Sequence, residues 1–360
     1  MYQRNSRRCC ALMLAVSICL RICMALGLDA KAAAVLADAA KSTELTRFLL
    51  YLETGSAAQV EEPEPETRHV VLRISQPQAA QTPEPETVDM EVTQAPAAQL
   101  PSSLASADRI TVAGACTYSY DKAALLARPS ALDLSGEGPT VLIVHTHSSE
   151  AYTQEPGWEY EPTAAYRTLD ETRSVIAVGD KLAETLEANG IQVLHDRTCN
   201  DYPSYNDSYW TCLGKIEDWL AQYPSIQIVI DLHRDAVEDA SGGAVALSST
   251  QAGQSAAQLM LVVGTDQGGL AHPNWQENLA NALKLQSVLE GQYPGLCRSL
   301  DLRTERFNQH ATAGSILVEV GTNGNTLRQA LHSAELLGEG LAAMLAALEA
   351  NGGVLTTDSP

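Results

Sequence analysis

Five short apolar runs, rich in β-branched residues and bounded by turn residues, constrain the fold of this 360-residue chain more than any other feature. They are VLIV, IQVL, IQIVI, LMLVV and ILVEV, at residues 141–144, 191–194, 226–230, 259–263 and 316–320. Runs of this length and composition are typical of buried strands. Because helical patterns lie between them, we predict an α/β domain with a largely parallel central sheet flanked by helices.

Two of these helical patterns carry end signals. Residues 174–189 place apolar side chains at helical spacing, and Gly190 follows as a predicted C-terminal cap. Leucines recur at helical spacing between residues 327 and 348, and we expect Asn325 to cap this last helix.

Changes in composition divide the chain into five segments. The apolar stretch of residues 9–28 follows several arginines and predicts a signal-anchor helix within residues 1–30, since about 20 helical residues span a bilayer core. A cleaved signal peptide is the alternative. Residues 31–54 are predicted to form a helical stalk, and the Pro- and Glu-rich residues 55–108 an acidic, disordered linker. The catalytic domain is predicted over residues 109–352, outside the cell membrane, with a tail at 353–360.

Charge and cysteine spacing exclude several classes of function. The formal net charge of −21 argues against nucleic-acid binding, because the phosphate backbone would repel the chain. No C-x-x-C pair occurs among the eight cysteines, which argues against a cysteine zinc knuckle or a redox motif. The four cysteines after residue 100 are expected to be buried free thiols, or to form one or two disulfides if the domain is exported.

Polar residues follow or interrupt three of the apolar runs, and the carboxyl ends of parallel strands meet at one edge of a sheet. These residues are His145, His147 and Glu150 after the first run, Asp231, His233, Arg234 and Asp235 after the third, and Glu319 in the last.

The spacing of these polar residues predicts a catalytic zinc site. His147 and Glu150 form H-x-x-E, and the distant His233 completes three protein ligands that leave the fourth position for water. His145 is a further candidate for metal binding, as a ligand in place of His147 or as a neighbour that orients it.

Glu319 and Arg234 are the predicted catalytic residues. An unpaired carboxylate within an apolar run costs several kcal/mol to bury, so Glu319 is expected to have a partner or a chemical role. It is the predicted general base and then acid, and a salt bridge with Arg306 is the alternative. Arg234 is predicted to steady the oxyanion or the substrate. Four aromatic residues are expected either to pack under a loop or to line a cleft for sugar or peptide: Tyr202, Tyr205, Tyr209 and Trp210.

Several longer motifs occur in order between residues 110 and 350. They are VLIVHTHSSEAY, DYPSYNDSY, VIDLHRDA, MLVVGTDQGGLAHPNW and RFNQHATAGSILVEVGTNGNTL. Through them the chain resembles the stage II sporulation protein P family. The resemblance implies a fold similar to zinc amidases and carboxypeptidases, with Zn2+ as cofactor. The family's motif residues fall on His147, Glu150, His233 and Glu319, with His145 and Arg234 nearby. The ordinary amidases supply their ligand Glu from the start of a helix after the first loop, and Glu171 lies closest to that place, so the resemblance implies Glu171 as the alternative to Glu150 as the carboxylate ligand.

The resemblance also implies a function. It implies cleavage of the amide between N-acetylmuramic acid and L-alanine in peptidoglycan during spore engulfment, and endopeptidase action on peptide cross-links. Stage II sporulation proteins D and M are the implied partners, and the implied location is the intermembrane space of the sporulating cell. The alternatives are a zinc endopeptidase or carboxypeptidase acting on stem peptides, and an inactive wall-binding scaffold.

Overall fold

The structure is a computed structural model, and it describes residues 98–356. The predicted anchor, the stalk and most of the predicted linker therefore lie outside the described residues. The described strands are β1 (Val112–Ala113), β2 (Val141–Val144), β3 (Val193–His195), β4 (Ile228–Asp235), β5 (Ser248–Gln251), β6 (Gln254–Ala257), β7 (Leu259–Val263), β8 (Leu300–Leu302) and β9 (Ile316–Thr322). The α-helices are α1 (Lys122–Ala127), α2 (Val175–Ala188), α3 (Ser208–Gln222), α4 (Trp275–Gln292) and α5 (Leu327–Ala350), and a 3-10 turn covers Gln309–Ala311.

The central sheet has seven strands in the order β1-β8-β7-β9-β4-β2-β3. Each neighbouring pair in it is parallel except β7 with β9, which is antiparallel. The remaining strands, β5 and β6, form a separate antiparallel hairpin. The predicted α/β class with a largely parallel sheet is thus confirmed.

Two of the strands run further than the apolar runs that predicted them. The strand β4 continues to Asp235 and β9 continues to Thr322. The polar residues of these segments therefore lie inside the sheet, where His233 is paired in register with Glu319. The backbone of both residues keeps its ladder hydrogen bonds, so only the side chains need polar partners.

The two faces of the sheet differ in what covers them. Ile230, Leu232, Val318 and Val320 belong to the large core that includes buried residues of α2, α4 and α5, whereas Val229 packs with residues of α3. Successive side chains of a strand point to opposite faces. It follows that Asp231 and His233 in β4, and Glu319 in β9, face the α3 side of the sheet.

The ends of the helices bear out one prediction and correct another. The α2 helix begins after Ser174, whose side chain accepts from the amide of Ile176, and Gly190 follows its end with φ of 83°. The cap of α5, however, is Thr326 and not Asn325. Thr326 and Gln329 form a capping box, in which each side chain bonds to the backbone of the other residue. The Asn325 side chain instead accepts from the amides of Thr322 and Leu247, and so holds the turn before the helix.

The folded region begins before residue 109, which corrects the predicted linker boundary. Ala105 is fully buried, and its carbonyl accepts a hydrogen bond from the Ser287 hydroxyl of α4. Further upstream, the carbonyl of Gln99 accepts from the side chain of Gln292. These contacts order the end of a segment whose composition alone indicated a linker.

The longest described helix contains a long apolar stretch. Among the described helices, α5 alone is long and apolar enough to cross a membrane, and 67% of its apolar stretch is buried in the fold. The burial of its leucines against the sheet and α2 is a sufficient reason for that composition. The four cysteines of the described region are free thiols; Cys212 is buried and Cys199 is exposed.

Candidate functional site

The structure brings His147, Glu150 and His233 together. The loop after β2 supplies the first two, and β4 supplies the third. All three are buried, with exposed fractions of 8%, 5% and 3%. The Nδ1 atom of His233 lies 3.5 Å from Oε2 of Glu150. The rings of His147 and His233 are 5.3 Å apart between centroids and nearly perpendicular, at 89°.

The two nitrogens of His233 face two different carboxylates. Its Nε2 lies 2.8 Å from Oδ1 of Asp231, although the atoms are not aligned as a hydrogen bond, so the contact is an ion pair. Asp231 is held in place by the amide and hydroxyl of Thr146, at 2.8 and 2.6 Å. Burial lowers the pKa of His233, but Asp231 and then Glu150 outweigh it and hold that pKa well above its ordinary value.

Glu150 stays ionised although it is buried. Burial raises its pKa, but the His233 ring, and then Arg234 and His147, lower the pKa to about 2. Its Oε2 also accepts from the backbone amide of Arg234 at 3.2 Å. Since a buried charge requires such partners, Glu150 supplies a fixed negative oxygen pair beside the two imidazoles.

The His147 ring is neutral and partly unsatisfied. It stacks on Tyr205 with centroids 4.4 Å apart and planes at 8°, and it meets the Tyr209 ring edge-on at 5.6 Å. Burial, followed by the charge of His233, lowers its pKa to about 4. Its buried Nδ1 has no hydrogen-bond partner among the described residues. A neutral imidazole with an unpaired nitrogen is the form that binds a metal.

Glu319 lies on the strand next to His233 and in register with it. Burial raises its pKa to about 8, against the opposing charge of His233, and Glu150 adds to the increase. Its Oε2 is buried without a hydrogen-bond partner among the described residues. For the alternative partner, Arg306, the structure shows a hydrogen bond from Nη1 to the carbonyl of Ala271.

Two predicted site residues point elsewhere. The ring of His145 is fully buried; its Nδ1 bonds to the carbonyl of Leu232 at 2.9 Å and its Nε2 to Nε2 of His195 at 2.8 Å. With both nitrogens engaged on the α2 side, the geometry does not support His145 as a metal ligand.

The geometry also corrects the role predicted for Arg234. The guanidinium donates to the backbone carbonyls of Ala151, Tyr166 and Asp235. It lies 4.0 Å from Glu150. The group holds the loop that follows Glu150 in place, and it is not free to contact an oxyanion.

The alternative carboxylate, Glu171, lies apart from the two histidines. It is half exposed and pairs with Arg197 at 2.9 Å. Between the two carboxylates that the sequence left open, the structure places Glu150 beside His147 and His233.

A supporting network behind the loop was not predicted. Asp201 accepts from both hydroxyls of Ser148 and Ser149, at 2.8 and 2.7 Å, and from Nη1 of Arg167 at 2.7 Å. The signal for it was the DYPSYNDSY motif, which begins at Asp201. The aromatic residues of that motif suggest a cleft or a packed loop, whereas its first carboxylate is the residue that supports the site.

The residue types at the site are those of a metal-binding site, although their side chains do not have the arrangement of a formed one. Within residues 98–356, no group of three or more His, Cys, Asp or Glu side chains has the arrangement of a formed metal site. Two imidazoles and one carboxylate are nevertheless the ligands of many catalytic zinc sites. A bound metal would provide the missing partner for Nδ1 of His147.

Comparison with known proteins places the chain in a family. The profile of the family described as Stage II sporulation protein P (SpoIIP) matches residues 41–342. The chain belongs to the SpoIIP family. A curated relative, Stage II sporulation protein P of Bacillus subtilis (strain 168), is 28% identical over 208 residues, or 54% of this chain and 48% of the relative. The chain thus spans about half the length of the curated relative it matches.

Three solved structures are similar to part of this SpoIIP protein at low TM-scores. The N-acetylmuramyl-L-alanine amidase Ami1 from Mycobacterium smegmatis is 12% identical with a TM-score of 0.37, over 58% of this chain and 97% of that one. The amidase AmiC2 of Nostoc punctiforme is 13% identical with a TM-score of 0.35, over 59% and 97%. The CwlD amidase from Clostridioides difficile, solved with the GerS lipoprotein, is 14% identical with a TM-score of 0.31, over 57% and 98%.

Proposed function

We propose that this SpoIIP protein is a zinc-dependent peptidoglycan hydrolase that cleaves the amide between N-acetylmuramic acid and L-alanine during sporulation. Family membership supports the sporulation role and the wall as substrate. The observation that carries the chemistry is the convergence of His147, Glu150 and His233 beside Glu319, on one face of the sheet.

The residues that would hold the metal are His147, through its unpaired Nδ1, Glu150, through its carboxylate, and His233, whose Nδ1 faces that carboxylate. Asp231, at Nε2 of His233, is the carboxylate that fixes the ring orientation, as is usual for metal-binding histidines. When bound, zinc supplies a water whose pKa is lowered to about 7, which makes hydroxide available at neutral pH.

Glu319 is the proton carrier in this proposal. Its ionised form would accept a proton from the attacking water, and its buried Oε2 has no hydrogen-bond partner among the described residues that would compete for this role. Because burial disfavours its charged form, the protonated acid is stable enough to wait for the leaving amine and then protonate it. The amide bond breaks as the water oxygen bonds to the carbonyl carbon and the proton passes through Glu319 to the nitrogen.

The test is digestion of purified, cross-linked peptidoglycan by the full-length chain, with zinc and with a chelator, and identification of products by mass spectrometry. We expect free stem peptides only when zinc is present, and none from the Glu319→Gln variant. Glu171→Gln is the matched control, since Glu171 is a surface residue paired with Arg197, and it should cleave like the wild type.

Other outcomes would contradict the proposal. Stem peptides released equally with chelator present would exclude a metal-dependent reaction. Products shortened only at their cross-links would show an endopeptidase. Cooperation with stage II sporulation proteins D and M, and attachment to the membrane by the N-terminal segment, are part of the proposal on the ground of family membership alone.

A further inference from the structure

Arg167 lies behind the loop that carries two of the proposed metal ligands. Its guanidinium donates to Oδ2 of Asp201 at 2.7 Å and to the hydroxyl of Ser149 at 3.0 Å, and it lies 3.5 Å from Oε1 of Glu150. The backbones of Arg167 and Glu150 also form an isolated antiparallel bridge. Arg167 is therefore tied to the loop through both its main chain and its side chain.

The same guanidinium reaches His147 through an aromatic ring. Its carbon Cζ lies 4.8 Å from the centroid of the Tyr205 ring, and Tyr205 is stacked on His147. One cation thus contacts Glu150 directly and His147 through Tyr205. His233 also contacts both side chains, so Arg167 is a second link between His147 and Glu150.

The groups around Arg167 hold its guanidinium in one position. The side chain of Asp201 is fully buried, and besides Arg167 it accepts bonds from Ser148 and from Ser149. A buried carboxylate that accepts this many hydrogen bonds is held rigidly. The salt bridge from Arg167 adds a charged donor to the two serine hydroxyls that bind Asp201. The position of the guanidinium is therefore fixed by a residue outside the metal cluster.

We propose that Arg167 is a positioning residue, which holds His147 and Glu150 in orientation for the metal through its contacts with Asp201, Ser149 and Tyr205. The inference rests on the proposed metal function. Arginine is required because its planar fork bonds to a carboxylate and a hydroxyl while its face lies over an aromatic ring; lysine has the charge without the fork. Loss of outer contacts of this kind lowers metal affinity by about 10- to 100-fold.

The experiment compares the full-length wild type with Arg167→Lys and Arg303→Lys. Arg303 is the matched control, since it is a partly exposed arginine paired with two carboxylates, Asp301 and Glu305, that are not part of the site. Zinc affinity is measured by competition with a fluorescent chelator, and the metal-free proteins are compared by thermal unfolding. We expect Arg167→Lys to bind zinc about 10- to 100-fold more weakly and Arg303→Lys to bind like the wild type.

A second readout separates positioning from a purely structural role. At saturating zinc the kcat of Arg167→Lys should return to near the wild-type value, while the zinc concentration for half-maximal activity increases. If Arg167→Lys does not fold, Tyr205→Ala tests the same link, with Tyr202→Ala on the same loop as its control. Loss of the stacked ring should weaken zinc binding by about 2- to 10-fold.

The results that overturn the proposal are distinct from those that overturn the metal function. Wild-type zinc affinity in Arg167→Lys, with a wild type that binds zinc, would refute the positioning role alone. Equal weakening in Arg303→Lys would refute it as well, since the effect would then be nonspecific. Failure of the wild-type chain itself to bind zinc would overturn the proposed metal function and this inference with it.

Discussion

The pair of imidazoles formed by His145 and His195 leaves no room for a side chain on α2 at Gly179. A Cβ added there would lie 2.6 Å from Nε2 of His195 and 2.7 Å from Nε2 of His145. Gly179 is within the helix, where glycine is normally unfavourable. We therefore predict that Gly179→Ala destabilises the protein, although alanine is the better helix former.

The size of the effect follows from opposing contributions. Alanine gains about 1 kcal/mol in helix propensity. Against this, forcing a methyl group into a filled space costs about 1–3 kcal/mol. Separating the rings also leaves buried nitrogens without a partner, at about 1–3 kcal/mol. The net expectation is a loss of roughly 1–5 kcal/mol, once the gain in propensity is subtracted.

The assay is urea unfolding of the full-length wild type and two variants. Gly214→Ala is the matched control, because Gly214 lies within α3 and a Cβ there would meet nothing within 4 Å. That control should gain up to about 1 kcal/mol, from propensity alone. If Gly179→Ala were stabilised to the same degree as Gly214→Ala, the close contact of the two imidazoles with α2 would be refuted.

Three further predictions concern charge and capping, each measured by denaturant unfolding. Burial lowers the pKa of Lys284 from 10.5 to about 8, so the unfolded chain binds more protons than the folded chain between these pH values. The stability of the wild type relative to Lys284→Met should therefore rise with pH over that window, by roughly 1–3 kcal/mol. For Glu319 the pH dependence of stability has the opposite sign, because its folded pKa of about 8 lies above the ordinary 4.5. The stability of the metal-free wild type relative to Glu319→Gln should therefore fall as pH rises from 5 to 8. Thr326→Ala removes half of the capping box on α5 and should cost about 1 kcal/mol at any of these pH values.

The apolar runs predicted the core of the sheet because burial on both faces requires continuous apolar sequence. The bounds of β2 and β7 match the predicted runs, residue for residue. The β5–β6 hairpin and α3 were not predicted. The hairpin is polar and half exposed, and α3 buries only a few side chains, so neither carries a strong hydrophobic period.

The sequence indicated which residue types would meet at the candidate site, but not the directions in which all of their side chains point. His145 and His147 are two residues apart, which in a continuing strand would put both rings on one face. The strand ends at Val144 and the chain turns, so His145 faces α2 while His147 faces α3. A turn of this kind has no apolar pattern, so the direction of either ring could not be predicted from the residues around it.

The exclusion of Arg234 from the catalytic group follows from the period of a strand. Once β4 is known to run to Asp235, His233 and Arg234 are neighbours in a strand and must point to opposite faces. His233 shares the α3 face with Asp231, and Arg234 points to the other face, where it bonds to the loop carbonyls. The same rule selects Glu319, because residues paired in register across parallel strands face the same side of the sheet. A proton acceptor for the proposed reaction is therefore expected opposite His233 on β9, and not next to it on β4.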